Sequence, residues 1–175
     1  MQKTVTIFGS AVPQAGDEQY EVAYQLGKKL TENGFAICSG GYGGIMEAVS
    51  KGAYDNGGTI YGITLENWNS TPNQYITIEI RTKNLFERIS KLIEMGDAYV
   101  VLQGGTGTLL ELAAIWELIN KGMIETKPII CHSELWIQIV NLMNNQLKIE
   151  NKRSDLVELA DSVDSVIAKL NIRLK

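Results

Sequence analysis

The chain has 175 residues, 45% hydrophobic and 21% charged, near the averages of globular proteins, which excludes a wholly disordered chain. Sixteen Lys+Arg against twenty Asp+Glu give a formal net charge of -4, which excludes a nucleic-acid binder that works by neutralising phosphates with a basic face. Two cysteines, Cys38 and Cys131, are too few for a disulfide framework or a zinc site. The single histidine, His132, removes Ser-His-Asp and two-histidine metal mechanisms.

The segment TVTIFG (4–9) reads as a buried strand, and residues 17–33 as a helix ended by Gly34. FAICSGG is a second strand running into glycines, followed by a helix over 45–56 closed by Gly57-Gly58. TIYGITL is a third strand, ENWNSTPNQ (66–74) a loop, and YITIEI a fourth strand. Residues 82–95 read as helix, AYVVLQ as a fifth strand, 106–121 as helix, PIICH as a sixth strand, and two helical stretches finish the chain. Strands that alternate with helices and are themselves near-continuous apolar runs predict an α/β fold: a parallel sheet covered by helices on both faces. No linker or repeat interrupts the pattern, so one Rossmann-like domain over 1–175 is expected. The N-terminus lacks a charged-then-apolar signal pattern and no apolar run reaches membrane length, so the expectation is a cytoplasmic protein with no membrane partner.

In such sheets ligands sit beyond the carboxyl ends of the strands. Three strand ends qualify: Gly9-Ser10-Ala11, the run Ser39 to Gly44, and the run Gln103 to Thr108. The last two pass from strand to helix through several glycines, which lets backbone amides approach an anion. Candidate anion contacts are Ser10, Gly41, Gly43, Gly104, Gly105, Thr106, Gly107 and Thr108, the threonines adding hydroxyls where a phosphate would lie. Neither loop is a dinucleotide fingerprint, since Met46 and Leu110 stand where a third glycine belongs. Gly-Lys-Ser/Thr is absent, so a Walker A loop is excluded. The competing reading is that these glycines merely allow tight turns.

A helical wheel at ~100° per residue adds two charges on apolar arcs. In the helix from Thr82, Leu85, Phe86, Ile89, Leu92, Ile93 and Met95 share an arc that also takes in Arg88, while Glu87 points to solvent. A buried arginine is costly unless it meets an anion. In the next helix Glu111 falls among Thr108, Ala114, Ile115 and Leu118, one turn past the glycine loop. The bland alternative is that Arg88 and Glu111 pair with each other or satisfy backbone groups. His132 has no evident partner, Trp116 and Cys38 read as packing, Trp68 could cover a base or simply meet solvent, and Glu47 sits at the edge of its helix.

The segment ERISKLIEMGDAYVVLQGGTGTLLE resembles the LOG (Lonely Guy) family, whose PGGxGTxxE motif here runs from Gln103 to Glu111 with glutamine in place of proline. IFGSAVP and SGGYGGIMEAVSKGAYDNGG resemble the family's first two strand-helix junctions, and the likeness covers roughly residues 4 to 145. The resemblance implies a nucleoside 5′-monophosphate phosphoribohydrolase that splits AMP or an N6-modified AMP into free base and ribose 5-phosphate. It implies Arg88 and Glu111 as the catalytic pair, no metal or other cofactor, a small nucleoside monophosphate as partner, and a homodimer with the site near the subunit contact. The alternative from a different class is a non-catalytic nucleotide or molybdenum-cofactor carrier, which needs the glycine loops but not Glu111.

Overall fold

The computed structural model describes residues 2–174; Met1 and Lys175, which the expected domain includes, lie outside the described residues. The elements run β1 (Thr4–Phe8), α1 (Glu18–Glu32), β2 (Ala36–Ser39), α2 (Ile45–Tyr54), β3 (Ile60–Leu65), β4 (Ile78–Thr82), α3 (Leu85–Met95), β5 (Ala98–Val101), α4 (Thr106–Asn120), β6 (Ile129–Cys131), α5 (Glu134–Ile149), β7 (Val157–Leu159) and α6 (Val163–Leu174). The strands form one sheet in the order β4-β3-β2-β1-β5-β6-β7, and every neighbouring pair is parallel. The chain steps outward from β1 to β4, then returns through α3 to the other side of β1. The strand order therefore reverses between β1 and β5, and this is where such sheets open a crevice.

Two apolar layers hold the sheet. Val5, Ile7, Ile37 and Val100 turn to one face, against Leu26 and Leu30 of α1, Val49 of α2 and Leu170 of α6. Phe8, Cys38, Tyr99 and Val101 turn to the other, against Leu92 of α3, Leu112 and Ile115 of α4 and Trp136 of α5. The alternation along a strand follows from its period of two. Thr4 and Thr6 are the polar residues of a fully buried β1, and the Thr6 hydroxyl donates to the Leu92 carbonyl at 3.0 Å. Among the described residues, no helix is long and apolar enough to cross a membrane.

Two sequence expectations are revised. β7 was read as part of the helical tail; it is a three-residue strand at the sheet edge, paired with β6. The third helix starts at Leu85 rather than Thr82. Thr82 ends β4, with its hydroxyl donating to the Thr64 carbonyl, and Asn84 caps the helix by accepting from the Glu87 amide at 3.0 Å. Glu87 in turn accepts from the Lys83 amide, so the first turn of α3 is fixed from both sides. Of the apolar arc of α3, Ile89 and Leu92 are in the core, whereas Leu85 and Phe86 are 45% and 73% exposed.

Candidate active site

The carboxyl ends of β1, β2 and β5 converge through backbone bonds. The Ser10 amide donates to the Gln103 carbonyl at 3.0 Å, and the Ile45 amide donates to the Ser10 carbonyl at 2.8 Å. The end of β1 is thus tied to both glycine loops. Gly44, at the N-cap of α2, has φ +69°, and a Cβ there would lie 2.3 Å from the Ser10 carbonyl oxygen. A side chain at this position would be strained in itself and would push the two loops apart. The first amide of α2 is consumed by this docking, so the glycine loop before α2 is mainly a joint.

The loop after β5 differs. Gly105 stands at the N-cap of α4 and no side chain caps that helix. The amides of Thr106, Gly107 and Thr108 lie in the first turn, where no carbonyl of the helix can reach them. The Thr108 hydroxyl has no hydrogen-bond partner among the described residues, although the residue is buried. This helix end therefore offers unpaired donors and the positive end of a dipole to one volume.

That volume is a cavity of about 590 Å³ at the β1/β5 switch point. Ser10, Gly43, Gly105, Thr106, Gly107 and Thr108 line it, and so do Arg88 and Glu111. Two expected contacts fall outside its lining. Gly41 is turned toward Thr64 and Ile76, its carbonyl accepting from the Asn73 amide, so it shapes the turn after β2. Gly104 faces Thr108 and the Ser10 amide and lines a neighbouring cavity behind the loop.

Arg88, the fourth residue of α3, is buried. Its Nε donates to the Ile63 carbonyl at 2.7 Å and its Nη2 to the Gly40 carbonyl at 2.9 Å. The Tyr42 ring lies 5.4 Å from Cζ, within range of a cation–π contact. A Cβ on residue 40 would fall 1.8 Å from Nη2, so only glycine there leaves room for the guanidinium. Nη1 has no protein partner among the described residues, on a residue that lines the cavity. Burial pulls Arg88 below the usual arginine range, and the Glu111 charge works against that shift; a guanidinium remains protonated at neutral pH.

Glu111 sits one turn into α4 and accepts no hydrogen bond among the described residues. It makes no direct ion pair with Arg88. Burial raises its pKa from 4.5 to about 7, and the Arg88 charge offsets only part of that rise. The alternative that the two charges neutralise each other is therefore not what the structure contains. The other half of that alternative holds for Arg88, which does satisfy two backbone carbonyls. Glu111 satisfies no backbone or side-chain group among the described residues.

The rest of the lining was less legible. Tyr42, Met46, Leu65 and Leu85 contribute apolar wall, and Trp68 and Ser70 come from the loop after β3. Tyr42 is fixed by the Leu65 amide, which donates to its hydroxyl at 2.8 Å. Its place in a glycine run was the only signal available for it. Glu47 accepts from the Tyr20 hydroxyl and is absent from the lining. His132, expected to lack a partner, meets the Ala160 carbonyl through Nδ1 at 2.9 Å. Trp116 and Cys38 are buried, as expected of packing residues. No group of three or more His, Cys, Asp or Glu able to hold a metal occurs among the described residues.

A parallel α/β sheet, with a carboxylate that has no hydrogen-bond partner among the described residues and an uncapped helix end at its switch point, defines a Rossmann-like protein. The SLOG cluster4 family model matches residues 2–167, and the chain belongs to that family, among the LOG proteins. An uncharacterized protein of Archaeoglobus fulgidus is 34% identical over 100 residues, covering 57% of this chain and 66% of that one. A cytokinin riboside 5′-monophosphate phosphoribohydrolase of Mycobacterium tuberculosis is 30% identical over 132 residues, covering 73% and 68%. The chain thus spans about two thirds of the length of these curated relatives. Among solved structures, the molybdenum cofactor binding protein of Rippkaea orientalis superposes with a TM-score of 0.81 at 25% identity, over 100% of this chain and 99% of that one.

Proposed function

We propose that this protein is a nucleoside 5′-monophosphate phosphoribohydrolase, cleaving AMP or an N6-modified AMP to the free base and ribose 5-phosphate. The observation that carries the reading is Glu111: a half-buried carboxylate with no hydrogen-bond or ion-pair partner among the described residues, in the same cavity as the uncapped end of α4 and the anchored Arg88. The 5′-phosphate would take the amides of Thr106 to Thr108 and the hydroxyl of Thr108. Holding that remote group positions the sugar over Glu111. As the N-glycosidic bond lengthens, its electron pair leaves with the base and positive charge builds on the ribose ring. Ionised Glu111 stabilises that charge and accepts the proton of the attacking water; the departing base nitrogen is protonated in turn. Arg88, held by two carbonyls, supplies fixed charge and orientation. We further propose a homodimer, since Leu85, Phe86, Leu109 and Leu110 leave exposed apolar surface on α3 and α4 beside the cavity.

The test is to incubate the protein with AMP and with N6-substituted AMP and to quantify free base and ribose 5-phosphate. Release by the parent protein and its loss in Glu111→Gln, with phosphate affinity kept, is the expected result. One observation favours a second reading, a non-catalytic carrier: the likeness to the molybdenum cofactor binding protein runs over the whole chain. Tight binding of a phosphorylated pterin, with no base released from any nucleotide and Glu111→Gln without effect, would favour the carrier.

A further inference from the structure

The cavity runs across the strands rather than along them. Its polar end, Gly105 to Thr108, follows β5, whereas Leu65 ends β3 and Trp68 follows it, three strand positions away in the sheet. At ~4.8 Å per strand that is a span of about 14 Å. The wall changes character over this distance. Unpaired amides and a hydroxyl occupy the β5 end, the two charged side chains Arg88 and Glu111 follow, and Met46, Leu65, Leu85 and Trp68 supply the apolar surface, relieved by Ser70. Of the three tryptophans, Trp116 and Trp136 are buried at 8% and 1% exposure; Trp68 is 61% exposed on the 66–77 segment, which carries no helix or strand. An indole left that open at a cavity rim is a large apolar face without a partner.

We propose that Trp68 is the platform on which the planar base of the nucleotide stacks. This inference rests on the phosphate-site reading given above. With the phosphate at the end of α4 and the sugar at Glu111, the base is carried toward β3, where the wall is apolar and Trp68 is the one aromatic side chain of the lining with an exposed face. Recognition there works through the face of the ring. The few polar groups near it give little means to read the hydrogen-bonding edge, so different purines are accepted with similar affinity.

Trp68 is also a built-in reporter, because the other two indoles are shielded from ligand. Titration with AMP should quench and shift the tryptophan emission, and ribose 5-phosphate, which has no base, should bind without that change. Trp68→Ala should weaken AMP about 5- to 100-fold and leave ribose 5-phosphate affinity unaltered; Trp68→Phe should keep most AMP affinity while abolishing the optical signal. Because the side chain is exposed, both variants should melt with the parent, which separates a lost contact from a lost fold. If AMP binds no better than ribose 5-phosphate, or if Trp68→Ala binds both as the parent does, the stacking proposal is overturned and the phosphate site stands. If neither ligand binds, the phosphate-site reading falls and the stacking proposal with it.

Discussion

Glu111 and Arg88 illustrate two ways of keeping a charge inside a protein. Arg88 is neutralised by geometry: two carbonyls and an aromatic face surround it, and Gly40 leaves the space. Arg88→Lys retains the charge but cannot fork to both carbonyls, so we expect a loss of about 2 kcal/mol or more in denaturant unfolding. If the proposed activity holds, Gly40→Ala should abolish it with Arg88 and Glu111 both present, since the new methyl displaces Nη2; normal turnover by that variant would count against the geometry. Glu111 is kept at a cost. The folded state holds its proton at a pH where the unfolded chain has lost it, so this group favours the fold below about 4.5 and that contribution disappears as pH rises through about 7. The ionised carboxylate then costs up to about 3 kcal/mol. Glu111→Gln should accordingly melt higher than the parent near pH 8, with the difference vanishing toward pH 4, as read by thermal scans across pH. If ionised Glu111 is the working form, kcat/KM should rise with pH around an apparent pKa near 7. Glu111 and Arg88 could be found on a helical wheel because each interrupts an apolar arc. Tyr42 could not, because nothing in a glycine run says which way a ring will turn.

At the scale of elements, α3 and α4 carry Arg88 and Glu111 into the cavity, and their first turns place them. Asn84 caps α3 three residues before Glu87 and four before Arg88. Asn84→Ala removes that bond and should cost about 1 kcal/mol. It should also lower activity more than its stability loss explains, because the guanidinium rides on the same turn; a KM-against-kcat comparison at low temperature separates the two. The boundary itself was not legible: periodicity runs back to Thr82, and only the pairing of β4 with β3 decides that Thr82 belongs to a strand. β7 was invisible for a related reason. Val157 and Leu159 alternate over three residues only, too few for a period. What makes them a strand is the open edge of β6, helped by Lys169 and Arg173 of α6 holding Glu158.

Over the whole molecule, the exposed apolar residues are uneven. Leu85, Phe86, Leu109, Leu110, Leu142 and Met143 all lie on helices of the β1/β5 face that carries α3 to α5. The proposed homodimer would cover the part nearest the cavity, and Phe86→Glu should shift the sedimentation coefficient from dimer to monomer. Cys38 and Cys131 are fully inside the sheet, and burial pushes both thiols up to about 12. We expect neither to react with a thiol reagent until the protein is unfolded, as a timed titration with and without denaturant would record.

The residue pattern by itself determined the fold class, six of the seven strands and the loops that could meet an anion. Those features rest on local periods and on glycines at strand ends, which need only neighbours in sequence. It also marked Arg88 and Glu111 as charges on apolar faces. Only the tertiary structure decided that these two do not neutralise each other, that the α2 loop is a joint while the α4 end is open, and that a loop tryptophan stands at the far wall of the same cavity. Each of those depends on strands that lie far apart in the chain and meet where the sheet order reverses, and no local rule of sequence contains that meeting.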